Sequence, residues 1–226
     1  MKQTLKRIIR NVKSINGNSL AEFATTTALM ATLAATAAPK LSEMSEGAKQ
    51  SKSMNEIDKI LTQAQNFYND TADLEGRGRF PGQDKFDVAV GGYTGTSDVA
   101  NAAVVEALDG DGTGDFDAWN DAEGTKWRSV FGVSNADAMQ ASGGQVINDV
   151  VASSGCGTCP AAAKAKPGNE EWMTLFAGNT LASKYQDGHL IYVVVAGGGS
   201  GTDAFPPVLY LADAENPSDF NALLEP

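Results

Sequence analysis

The stretch KSINGNSLAEFATTTALMATLAATAAPKLS, residues 13–42, decides how the rest of the chain is read. It is nearly uncharged, yet Glu22 sits five residues past Gly17, close to the start of the apolar run. A carboxylate at the centre of a membrane-spanning helix costs about 2.5–3.5 kcal/mol. Glu22 therefore needs a partner. Residues 18–38 carry no other charge, and a helix of that length is long enough to cross a bilayer. The run is rich in Ala and Thr, so it inserts less firmly than a Leu-rich span.

The preceding residues are basic. Lys2, Lys6, Arg7, Arg10 and Lys13 fall within residues 1–17, which hold no acid. A basic start before an apolar run marks a segment bound for a membrane with its basic end cytoplasmic. Two cleavage points fit. A secretory signal would use Ala28–Ala38 as its apolar region and be cut near Ala35-Thr36-Ala37, but its basic region would then be overlong and contain Glu22. A cut after Gly17 keeps Glu22 in the mature chain and makes Asn18 its first residue.

The basic leader ending in Gly17, followed by Asn18-Ser19-Leu20-Ala21-Glu22-Phe23 and an apolar helix, resembles the class III signal of type IV pilins and pseudopilins. The Glu22-Phe23 pair and the Ala/Thr-rich run are closest to the tight-adherence branch. Asn18 departs from the pattern, since the family often begins its mature chain with Phe or Met. The resemblance implies cutting after Gly17 by a prepilin peptidase and methylation of the new amine. It also implies pairing of Glu22 with the N-terminal amine of a neighbouring subunit, here that of Asn18. Self-assembly into a homopolymer through the filament assembly machinery follows from it. So does residence in the inner membrane before assembly and in a periplasmic or extracellular filament afterwards.

Beyond Pro39 the chain turns polar. Ile57, Ile60, Leu61, Ala64, Phe67 and Thr71 follow the spacing of an amphipathic helix, which predicts Lys49, Lys52, Glu56, Asp58 and Lys59 toward solvent. We expect three regions: a cleaved leader over 1–17, one long helix over 18–72, and a globular head over 73–226. The helix should be kinked near Pro39 and soft near Gly47. Phe67-Tyr68-Asn69-Asp70 and Gly78-Arg79-Phe80-Pro81 are similar to the end-of-helix passage of type II secretion pseudopilins. In the head, Ser97 is expected to cap a short helix running through Leu108, since SDVANAAVVEAL puts Val99, Ala103 and Leu108 inward. HLIYVVVAGG (189–198) and PPVLYLADA (206–214) predict adjacent antiparallel strands. AGGGSGTD (196–203) reads as a flexible loop rather than a phosphate cradle. The fold class is α+β.

The totals agree with a folded head. At 226 residues, 42% hydrophobic and 20% charged, the chain can bury a core without being globally disordered. Its net charge of -11 repels phosphate backbones, which argues against nucleic-acid binding.

DGDGTGDFDAWND (109–121) is the leading metal candidate. Asp109, Asp111, Thr113, Asp115, Asp117 and Asn120 take loop positions one, three, five, seven, nine and twelve, with Gly114 at the sharp sixth. Oxygen donors without His or Cys favour Ca²⁺. The loop lacks the bidentate Glu at position twelve and a convincing exit helix, and a solvated acidic turn is the plain alternative. Major pseudopilins commonly carry a calcium site in the head, so the resemblance implies one here too.

Cys156 and Cys159 are the only cysteines, and in an exported protein a pair this close most simply forms one small disulfide. A redox Cys-x-x-Cys is the alternative, without a thioredoxin-like context. His189, the only histidine, is expected at the surface or a strand edge. No hydrolase signature or paired catalytic carboxylates appear, so we expect no enzyme. The leading reading is a structural subunit of a type IV pilus-like filament or a type II secretion pseudopilus. The rival is an exported calcium-binding module that acts alone and forms no filament.

Overall fold

The computed structural model describes residues 2–110, 116, 120–132, 168–181 and 189–226, with the backbone alone for 2–19 and 121. The chain is α+β, with a long N-terminal helix and a head built on a four-stranded antiparallel sheet. Helix α1 spans Lys2–Glu75 and carries Pro39 in its interior without ending there. Gly76, at φ +84°, closes it by donating its N–H to the Ala72 carbonyl at 3.0 Å. Only a residue without Cβ enters that left-handed region freely. The helix also runs straight through Gly47.

The chain divides into two units, Met1–Ala48 and Lys49–Pro226. The first is helix alone. In the second, residues 49–75 of α1 are followed by α2 (Ser97–Leu108), α3 (Asp121–Gly124), β1 (Arg128–Ser129), α4 (Gly168–Leu175), β2 (Leu190–Val195), β3 (Val208–Asp213) and β4 (Asn221–Leu224). The strands lie in the order β1-β2-β3-β4, and β2 pairs with β3 from Leu190↔Asp213 to Val195↔Val208.

All residues of β2 and β3 are buried because both faces of the sheet are covered. Leu190, Tyr192, Val194, Leu209 and Leu211 share a core with Ile57, Ile60 and Ala64 of α1. Ile191, Val193, Val195, Tyr210 and Ala212 share another with Ala100, Val104 and Ala107 of α2. That burial explains unbroken apolar runs instead of an alternating pattern. Each buried Val, Leu or Ile side chain among them contributes about 1.5–3 kcal/mol.

Three local expectations are corrected. The inward face of α2 centres on Ala100, Val104 and Ala107, with the expected Ala103 and Leu108 packed at its margin, while Val99 is 61% exposed. Glu56 is buried rather than solvated and accepts an ion pair from Lys59 at 3.1 Å. The Gly-rich segment is braced instead of loose. Gly198 and Phe205 exchange backbone hydrogen bonds at 3.0 Å, Gly201–Asp203 forms a 3₁₀ turn, and Arg77 Nη1 donates to the Gly199 carbonyl at 3.0 Å.

Candidate functional site

The first candidate is the apolar part of α1. Gly17 and Asn18 lie within its helical backbone. Glu22 and Phe23 follow one turn later, both exposed. Leu20, Phe23, Leu29, Met30 and Leu33 are each 69–76% exposed, so nothing among the described residues covers this surface. The helix is long and apolar enough to cross a membrane. Its threonines do not oppose that. Thr25 and Thr26 donate their hydroxyls to the Glu22 carbonyl, Thr27 to Phe23, Thr32 to Ala28 and Thr36 to Thr32, at 2.7–3.0 Å. Each hydroxyl is satisfied inside its own helix, which removes most of the penalty of taking it out of water. The Glu22 carboxylate has no ion-pair partner among the described residues.

The second candidate is the acidic loop. Asp109 is the C-cap residue of α2, and Gly110 turns the chain away at φ +70°. Phe116 is fully buried, donates its N–H to the Ala107 carbonyl at 2.8 Å, and stacks 5.9 Å from Trp127. Asn120 Oδ1 accepts the Glu123 N–H at 2.9 Å and so caps α3. Only a four-residue turn of helix, α3, follows Asn120. Glu123 accepts the Tyr93 hydroxyl and the Lys126 ammonium, each at 2.7 Å. Burial first, then Glu123, pushes the Tyr93 phenol well above its ordinary pKa. Asp111, Thr113, Asp115 and Asp117, like Cys156 and Cys159, lie outside the described residues. The donor set along the sequence is all oxygen, which suits a hard cation.

His189 is 2% exposed, not at the surface as expected. Its Nε2 lies 2.7 Å from the Ser129 Oγ, which also accepts the Gly132 N–H at 2.8 Å. Ser129 is fully buried, so this pair ties β1 to the start of β2 and presents no nucleophile to solvent.

A second network escaped sequence reading altogether. Arg79, 2% exposed, donates to Glu75 and Glu171, and Glu171 Oε2 also accepts the Gly82 N–H at 2.6 Å. Its residues are scattered over 96 positions, from Glu75 to Glu171, so no local pattern marks them.

The chain matches no protein-family model, no curated protein and no solved structure.

Proposed function

We propose that this chain is a structural subunit of a type IV pilus-like filament or secretion pseudopilus, cut after Gly17 and assembled through the apolar part of α1. The observation that carries the reading is the exposed apolar surface from Leu20 to Leu33, with Glu22 near its start and without an ion-pair partner among the described residues. A helix apolar on all sides is stable only in lipid or against other helices. In lipid, Glu22 is costly. Beside the Asn18 amine of a neighbouring subunit it becomes half of an ion pair, so docking both relieves the penalty and fixes the register. The satisfied threonines let the same helix exchange lipid for protein without seeking new hydroxyl partners.

The head would face outward from such a polymer. We propose that the 109–120 loop, anchored by Phe116 on Trp127, holds Ca²⁺ and stiffens the head, since a cation bound to the folded state alone adds stability. Cys156 and Cys159 would close a small disulfide in the exported protein.

The test is the mass of the mature N-terminus, measured on protein from membranes and from sheared surface material. A chain beginning at Asn18, with an added methyl group, supports the filament reading. A chain beginning at Ala38 has lost Glu22 and ends it, leaving the exported calcium-binding module as the better account.

A further inference from the structure

Two hollows open on either side of the Phe205-Pro206 step. The wider one measures about 680 Å³, within the usual span of small-ligand sites. It lies between the first turn of α2, the loop at Asp87 and the residues after β4. Asp87, Asp98 and Glu225 line it, all exposed, and among the described residues no lysine or arginine does. Phosphates, sulfates and acidic sugars are therefore repelled. The three carboxylates belong to separate segments. Among the described residues no three acidic, His or Cys side chains gather to hold one metal ion. The acceptors are spread along the hollow instead of focused on a point.

One wall is a fixed polar chain. The Tyr210 hydroxyl donates to Asn101 Oδ1 at 3.0 Å, and Asn101 Nδ2 donates to Ser97 Oγ at 3.2 Å. Ser97 thus accepts from Asn101 and keeps its own hydrogen to donate. Burial, and then the Glu225 charge, raises the Tyr210 pKa, so the phenol stays a donor and holds Asn101 in one orientation. The other wall is Phe205, 43% exposed yet held in place from behind. A methyl group on Gly198 would meet its ring at 2.6 Å, so glycine is needed for the ring to lie there.

We infer that this hollow binds a neutral saccharide. Spaced carboxylates accept hydroxyl pairs, Ser97 returns a donor, and the Phe205 ring offers an apolar wall to the C–H face of a sugar. This inference does not depend on the filament reading, because every residue it uses lies in the head.

The experiment presents the full-length chain, in a detergent without a sugar headgroup, to an array of neutral, sialylated and sulfated oligosaccharides, with hexalysine titrated in parallel. The expected result is binding of neutral oligosaccharides and rejection of the anionic ones. Asp98→Ala, at an exposed position, and Phe205→Ala should each weaken binding by about tenfold or more. Binding of hexalysine with no neutral glycan retained would make the hollow a basic-peptide surface and overturn the inference. So would no binding at all, or glycan binding that both variants leave unchanged.

Discussion

Arg79 Nη1 donates to Glu171 Oε1 at 3.0 Å, joining residues 92 positions apart with both side chains out of solvent. The charge is well served. Arg79 Nε reaches Glu75 at 3.1 Å, Nη1 reaches the Gln83 carbonyl at 3.2 Å, and the guanidinium lies 5.1 Å from the centre of the Phe67 ring. Removing Glu171 leaves Arg79 compensated by Glu75 but strips Arg79 and the Gly82 N–H of a charged acceptor, and a hydrogen bond to a charged group contributes about 1.5–3 kcal/mol. Glu171→Ala should lower the unfolding free energy by about that amount, read as a lower urea midpoint at unchanged slope. A loss below about 1 kcal/mol, the range of an exposed pair, would mean that the network adds little.

Tyr93 should make stability sensitive to alkali. Its phenol ionises near 10.0 when unfolded and well above that when folded, because of burial and the Glu123 carboxylate. A raised folded pKa gives stability that is complete below the unfolded value and is lost as pH climbs from there toward the folded one. Unfolding free energy should therefore fall steeply above pH 10, and Tyr93→Phe should flatten that fall. At neutral pH the same variant loses one hydrogen bond to a charged acceptor, about 1.5–3 kcal/mol. Equal alkaline slopes in the two proteins would remove Tyr93 as the cause.

How much of this was legible depends on contrast in the chain. The β2–β3 pair was readable because β-branched and aromatic runs are bounded by glycines and prolines. The lower half of α1 was readable because its apolar stripe alternates with charges. The phase of α2 was not, since Ala and Val occur on every side of SDVANAAVVEAL and either face could turn inward. β1 has two residues, and β4 has four, too few for any period to emerge. α4 was missed for the same reason of length. His189 and Arg79 were misjudged or missed because a buried polar residue is defined by partners far away in sequence. Ser129 lies 60 positions from His189 and Glu171 lies 92 from Arg79.

Gly197 offers a steric test of the braced Gly-rich segment. A Cβ there would meet the Pro207 nitrogen at 2.7 Å and the Phe205 carbonyl at 2.8 Å, both backbone atoms that cannot swing aside. Gly197→Ala should destabilise the head by about 1–3 kcal/mol through forced backbone shifts. Gly201→Ala meets no atom within 4 Å, though its φ of +63° still strains an alanine. Its cost should be smaller. Similar melting temperatures for the two variants would count against close packing at Gly197.

Glu22→Ala separates membrane insertion from assembly. Removing the carboxylate makes the helix more apolar, so the precursor should enter membranes at least as well as the unaltered chain. Filament yield should drop, because the docking subunit no longer meets a charge that needs its amine. Co-expression with the unaltered chain, followed by shearing and immunoblotting, measures how far the variant is incorporated. Unchanged filaments from Glu22→Ala alone would rule out the pairing mechanism while leaving prepilin processing open.

Calcium is testable on the head's stability without any assembly. Residues 109–121 hold five aspartates in thirteen residues, and their mutual repulsion should weaken the fold when no cation is present. Thermal unfolding in excess chelator and in millimolar calcium should therefore differ. A calcium concentration about 100 times the dissociation constant adds roughly 2.7 kcal/mol. Magnesium at equal concentration should do less, because it surrenders its waters reluctantly. Asp111→Ala should abolish most of the calcium increment and leave the chelated protein no less stable, since one repelling charge is gone. If calcium and chelator give the same melting curve, the loop is a solvated acidic turn held only by Phe116 and the Asn120 cap.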